Sequence, residues 1–147
     1  MSYAWLGLAL RVVIGGLLIW AGWEKLHAIE WWEATFRELR VIFDRAARPV
    51  AVVSPGVELV VGIALVAGFW TRPAAWLAAI MFTIFAVVLF SVIWREIDAE
   101  CGCFGPDSSY PVSMTAVLRN LALAGLAILL AFLPTTALSV DGFFTRD

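Results

Sequence analysis

The stretch AAWLAAIMFTIFAVVLFSVIW, residues 74–94, carries no charged side chain in 21 residues. A helix of that length rises about 31 Å, one hydrocarbon thickness. Water offers no reason to keep such a run intact, whereas a bilayer does. The stretch predicts a membrane span, and the composition agrees. The 147 residues are 63% hydrophobic and 15% charged, with a mean hydropathy of +0.92. Soluble domains sit near 45–50% apolar and about 25% charged. A net charge of −2 gives no electrostatic footprint for nucleic acid. There is no glycine-rich phosphate loop and no CxxC…CxxC metal pattern.

Three further spans follow from the same test. Residues 3–23 form an apolar run broken by Arg11. A cleaved signal peptide would bring a basic leader and a shorter apolar core, so the run reads as span one. Ser54-Pro55 has the form of an N-cap followed by proline at the first helical position. Span two is thus expected over 55–70, with Glu58 near its start and Thr71-Arg72-Pro73 as a tight turn into span three at 74–94. Ser113 can cap span four, 113–133, which contains Arg119. Between spans one and two, Trp32, Phe36, Leu39 and Phe43 recur at helical spacing amid Glu33, Arg37, Glu38, Arg40 and Asp44. That pattern predicts an amphipathic helix over about 30–44, either lying in the membrane interface or capping the bundle. The fold class is all-α: an integral membrane four-helix bundle with one additional amphipathic interfacial helix, in a single domain.

Four spans give a two-sided map. The two terminal segments and the 71–73 turn share one side with Trp5, Trp70 and Trp76. The 24–54 segment and the 95–112 loop share the other with Trp20, Trp23, Trp31, Trp32 and Trp94, as two aromatic belts would. Small residues form stripes suited to close helix approach: Ala116, Asn120, Ala124, Ala127 and Ala131 in span four, and Gly15 and Gly22 on the Arg11–Lys25 stripe of span one.

The polar residues that carry chemistry gather on the second side. Lys25 and His27 follow span one, Arg95 and Asp98 follow span three, and Glu58 and Arg119 enter from the same side at similar depth. A charge inside a span costs roughly 2.5–3.5 kcal/mol on insertion scales and faces a partner or a cavity. Glu58 and Arg119 are therefore expected to pair or to share a polar pocket, and Arg11 to snorkel to the interface. Cys101 and Cys103, the chain's two cysteines, flank Gly102 in this loop. A disulfide between them would close a very small, strained and easily reduced ring, which suits an exchanging dithiol better than a staple. Two thiolates with His27 and Asp98 could instead hold zinc, although CxC alone is no zinc-finger spacing, and two inert thiols are the third reading. No metal site is assigned.

The chain resembles the MauE/DoxX family of four-helix membrane proteins. The resemblance rests on Gly22 and Lys25 at the end of helix one, on Pro55, Glu58, Gly62, Gly68 and Thr71-Arg72, and above all on Cys101-Gly102-Cys103-Phe104-Gly105 before the last helix. It covers about residues 5–133. It implies a bundle in the bacterial inner membrane and a link to maturation of disulfide-containing periplasmic proteins. The DoxX/DoxD side of the family is linked to quinone-coupled sulfur oxidation, which admits a quinone as electron acceptor. The bundle is also similar to that of vitamin K epoxide reductase-like and DsbB-like proteins. Those use CxxC and a second cysteine pair, so an internal dithiol relay is impossible here.

Two functions follow. In the first, Cys101 and Cys103 are the catalytic pair of a membrane thiol–disulfide protein or electron-passing subunit. Arg95, Lys25 or Arg119 would favour the thiolate, and Glu58 or His27 would move protons. Its partners would be the bilayer and a thiol/disulfide partner protein. In the second, the chain is a non-catalytic subunit of a larger membrane complex. Sidedness is contested: the arginines of the 24–54 segment put the cysteine loop in the cytoplasm by the positive-inside rule, whereas disulfide exchange and the family resemblance put it in the periplasm.

Overall fold

The computed structural model describes residues 2–101, 110–133, 139, 140 and 143. Five helices follow in order: α1 Ser2–His27, α2 Ile29–Leu39, α3 Asp44–Ala67, α4 Thr71–Trp94 and α5 Met114–Phe132. A two-residue antiparallel ladder, β1 Glu100–Cys101 with β2 Tyr110–Pro111, stands between α4 and α5. Helices α1, α3, α4 and α5 are each long and apolar enough to cross a membrane.

The bundle is built from two tight pairs, α1 with α3 and α4 with α5, joined by α3 on α4 and α1 on α5. Gly15 lies against Gly62, and Gly22 against the carbonyl of Pro55, so α1 and α3 run antiparallel. Without side chains at these points the two backbones meet, as small residues allow in lipid. The second pair uses alanine in the same way. Ala75, Ala78 and Ala79 of α4 and Ala124, Ala127 and Ala131 of α5 are buried in one cluster. Buried Asn120 donates its side-chain amide to the carbonyl of Ala116 and so adds no unsatisfied donor.

Several helix ends differ from the sequence expectation. Helix α3 starts eleven residues before Pro55 and carries both Pro49 and Pro55 inside it. Each proline removes one i→i−4 hydrogen bond, a loss that packing neighbours offset in membrane helices more readily than in soluble ones. Ser54 is consequently no cap; its hydroxyl accepts a hydrogen bond from Trp32 Nε1 at 3.1 Å. Thr71-Arg72-Pro73 is the first turn of α4 rather than a free turn. Proline is tolerated there because a first-turn N–H has no intrahelical acceptor. The reversal is made instead by Gly68 (φ 72°) and Trp70 (φ 48°), both left-handed. Ser113 stands at the N-cap of α5 in extended conformation, without a side-chain cap bond.

Helix α2 ends earlier than expected because Arg40 turns left-handed and closes it. Phe43 therefore leaves the amphipathic stripe and is 88% exposed. The remaining stripe, Trp32, Phe36 and Leu39, is buried. Trp32 and Phe36 cluster with Ala47 and Ala51 of α3, with Phe85 of α4 packed alongside, so α2 caps the bundle through its apolar face. Its polar face is tied down too: Glu33 accepts from Arg37 at 2.6 Å and from Arg48 at 3.1 Å.

Two arginines close helix C-termini on neighbouring elements. Arg95, just past α4, donates to the carbonyls of Leu39 (2.8 Å) and Arg40 (3.0 Å), the last of α2. Arg11 does not snorkel. It is 1% exposed and donates to the carbonyls of Leu65 (3.0 Å) and Val66 (3.1 Å). These belong to the last turn of α3, whose final carbonyls lack helical donors and carry the negative end of the dipole. Gly68 makes room for it: a Cβ there would overlap the Arg11 guanidinium and Ser139. Arg11→Met should cost about 1–3 kcal/mol, because buried acceptors lose charged donors. Thermal unfolding in detergent checks this; an unchanged midpoint would return Arg11 to the interface.

Candidate functional site

At the end of the bundle near α2, Lys25 and Glu58 meet. Lys25 ends the buried stripe of α1 that starts at Arg11 and runs through Ile14, Leu18 and Ala21. Glu58 lies on the α3 face that Gly22 approaches. The antiparallel register set by the glycines thus brings Lys25 Nζ to 2.7 Å from Glu58 Oε1, with side chains 1% and 2% exposed. The ammonium also sits 4.4 Å from the ring centroid of Trp32 and 4.8 Å from that of Phe85. A cation over two ring faces in a water-poor site gains electrostatic energy from both. Glu58 Oε2 has no hydrogen-bond partner among the described residues. The site is thus a buried ion pair with one carboxylate oxygen uncommitted, boxed by aromatics from α2 and α4.

This corrects the expected Glu58–Arg119 pair. Both residues do enter from the same side, but Arg119 is on an exposed face of α5. The partner of Glu58 comes from α1, because α3 packs mainly on α1 rather than on α5. His27 is exposed; its Nδ1–H donates to the carbonyl of Trp23 at 2.9 Å, and its ring lies 4.4 Å from the Trp23 indole. Arg95 is committed to the C-terminus of α2. Asp98 is exposed in the segment before β1. Among the described residues no three His, Cys, Asp or Glu gather as metal ligands would.

Of the catalytic candidates, Cys101 has its backbone in β1, paired with Tyr110. Cys103 and Gly102 lie outside the described residues, as do Phe104, Gly105 and Pro106.

Sequence reasoning missed Phe85, Ser54 and the role of Trp32. Phe85 stands in an uncharged span where every position looks alike. Ser54 beside Pro55 imitates a cap. Trp32 was visible on the amphipathic stripe, but a stripe does not show what it faces. Beside the Trp32–Phe85 wall lies a cavity of about 370 Å³ between α2, α3 and α4.

Comparison with known proteins identifies the family. Residues 3–133 match the family described as Methylamine utilisation protein MauE. Among curated proteins, "Methylamine utilization protein MauE" of Paracoccus denitrificans is 39% identical over 124 residues, covering 84% of this chain and 67% of the relative. The Paracoccus versutus protein of the same name is 32% identical over 121 residues, covering 82% of this chain and 65% of the relative. The chain thus spans about two thirds of the length of the curated relatives it matches. No solved structure matches it. With nearly all of its four apolar helices inside the matched region, the chain belongs to the MauE family.

Proposed function

We propose that this chain is a membrane thiol–disulfide protein serving methylamine utilisation, acting through Cys101 and Cys103 on the periplasmic face of the inner membrane. The observation that supports the reading is how the cysteine loop is held. Glu100 pairs with Pro111 and Cys101 with Tyr110, and Val112 N–H donates to the carbonyl of Ala99 at 3.0 Å. The loop is therefore pinched at its base, with Cys101 on the clamp. Cys101 is thus placed by backbone hydrogen bonds of this ladder rather than inside a helix, so exchange at its sulfur would leave helix packing undisturbed. The names of the relatives supply the pathway.

In the forward exchange a thiolate of the partner attacks the Cys101–Cys103 disulfide. A partner–chain mixed disulfide forms and one chain thiolate leaves. A second partner thiolate resolves the mixed disulfide, so the partner is oxidised by two electrons and the chain is reduced by two. With Cys101 and Cys103 as the pair, those electrons then pass from it to a second acceptor, a bound quinone or a redox partner protein.

The test is trapping. Cys103→Ser and Cys101→Ser should both retain the bundle, because helix contacts hold it. One of them should accumulate a mixed disulfide on a non-reducing gel that dithiothreitol releases. An impermeant maleimide applied to intact cells should label the wild-type loop after reduction. If neither variant traps a partner and both support full methylamine utilisation, the chain is a non-catalytic subunit of a larger membrane complex.

A further inference from the structure

The 370 Å³ cavity is lined by apolar side chains except for Ser54, whose hydroxyl is bonded to Trp32 Nε1. Its walls include Phe36 of α2, Val57 of α3, and Met81, Phe85 and Val88 of α4. From Met81 to Leu89 the α4 wall covers eight residue steps, about 12 Å along the helix axis. The cavity is thus an elongated slot running along helices that span the membrane. Val57 of α3 and Ile84 of α4 in its lining are exposed, so the slot is open between these two spans.

Its polar end is the connection between α2 and α3. Val41 and Ile42 of that connection line the cavity, while Arg40, Phe43 and Arg45 around them are exposed. Arg37 and Arg48 are held by Glu33, and Arg95 by helix carbonyls. Arg40 and Arg45 have no ion-pair partner among the described residues. Neither arginine lines the cavity; each lies within three residues of the lining Val41 or Ile42, in a stretch shared with Glu38 and Asp44, so it offers two particular guanidiniums rather than a broad positive field. Phe43 between them is an exposed aromatic.

We infer that this slot is a binding site for one acyl chain of an anionic phospholipid from the same leaflet, with its phosphate held by Arg40 and Arg45. An apolar slot of this size and a lateral opening suit a chain rather than a compact polar substrate. Exposed guanidiniums with no ion-pair partner among the described residues suit a phosphate. The occupant would pack on Trp32 and Phe85, the two rings that box the Lys25–Glu58 pair, and would keep water from that pair.

The full chain in nanodiscs, with phosphatidylglycerol carrying a mid-chain diazirine, tests this. Photolysis should label the stretch around Val57 and the 81–88 face of α4 well above the lipid-facing residues of α1 and α5. Filling the slot with Ile84→Trp should remove that excess. The variant Arg40→Gln/Arg45→Gln changes exposed residues only. It should retain the label but lose preference for phosphatidylglycerol over phosphatidylcholine, roughly fivefold for each arginine removed. Uniform labelling of all lipid-facing helices, an excess that survives Ile84→Trp in a folded bundle, or equal labelling by both lipids in the wild-type chain would each overturn the site. So would displacement by an isoprenoid quinone at equal concentration.

Discussion

Glu58→Leu should lower the stability of the bundle by about 3–5 kcal/mol, because it leaves the Lys25 ammonium buried without its carboxylate. The rings of Trp32 and Phe85 remain, but a quadrupole offsets only part of the charge's lost solvation. Lys25→Met should cost a similar amount by stranding the carboxylate. The double variant Lys25→Met/Glu58→Leu should recover most of the loss, since a well-packed apolar pair replaces a buried ion pair at little cost. Unfolding of all three in detergent gives the coupling energy directly. Strictly additive losses would dissolve the pair. A parallel cycle with Arg119→Gln separates the two candidate partners: no coupling between Arg119 and Glu58 is expected, because Glu58 is bonded to Lys25 and Arg119 lies on an exposed face.

Gly62→Val should be the other severe change. A Cβ at Gly62 would stand 2.7 Å from the carbonyl oxygen of Gly15 and 2.9 Å from the backbone nitrogen of Ile19. Neither backbone atom can swing aside as a side-chain tip would. Helices α1 and α3 would have to separate, and that interface also carries the Lys25–Glu58 pair and the Arg11 contacts to α3. The expected loss is about 3 kcal/mol, the upper end of ordinary overpacking. Gly16→Ala, Gly56→Ala and Gly125→Ala are the controls. Nothing stands within 4 Å of a Cβ at any of them, so they should be neutral or stabilise by up to about 1 kcal/mol. A Gly62→Val bundle as stable as the Gly16→Ala bundle would mean that α1 and α3 do not meet backbone to backbone.

These two sites show how far the residues could be read before the fold was in view. The small-residue stripe from Arg11 to Lys25 and the alanine stripe of α5 were legible because each needs only the period of one helix. Gly15 and Gly16 differ by one position and share every local property. One meets α3 and the other open space, and that depends on how two helices rotate against each other. The same holds for Arg11 and Arg119, both single charges inside apolar runs. Arg11 closes the end of α3, and Arg119 stays on the surface.

By itself the sequence determined the four spans, the presence of a helix between the first two, and the placing of both cysteines in the segment before the last helix. Each follows from local chemistry: unbroken apolar length, helical spacing, or a polar gap. Only the tertiary structure decided that α3 continues through Pro49 and Pro55, that α2 turns its aromatic stripe onto α3 and α4, and that Lys25 is the partner of Glu58. The physical reason is one and the same. A proline's missing hydrogen bond, a helix's apolar face and a buried charge each specify that something must compensate them, and which element does so is fixed by packing between segments distant in the chain.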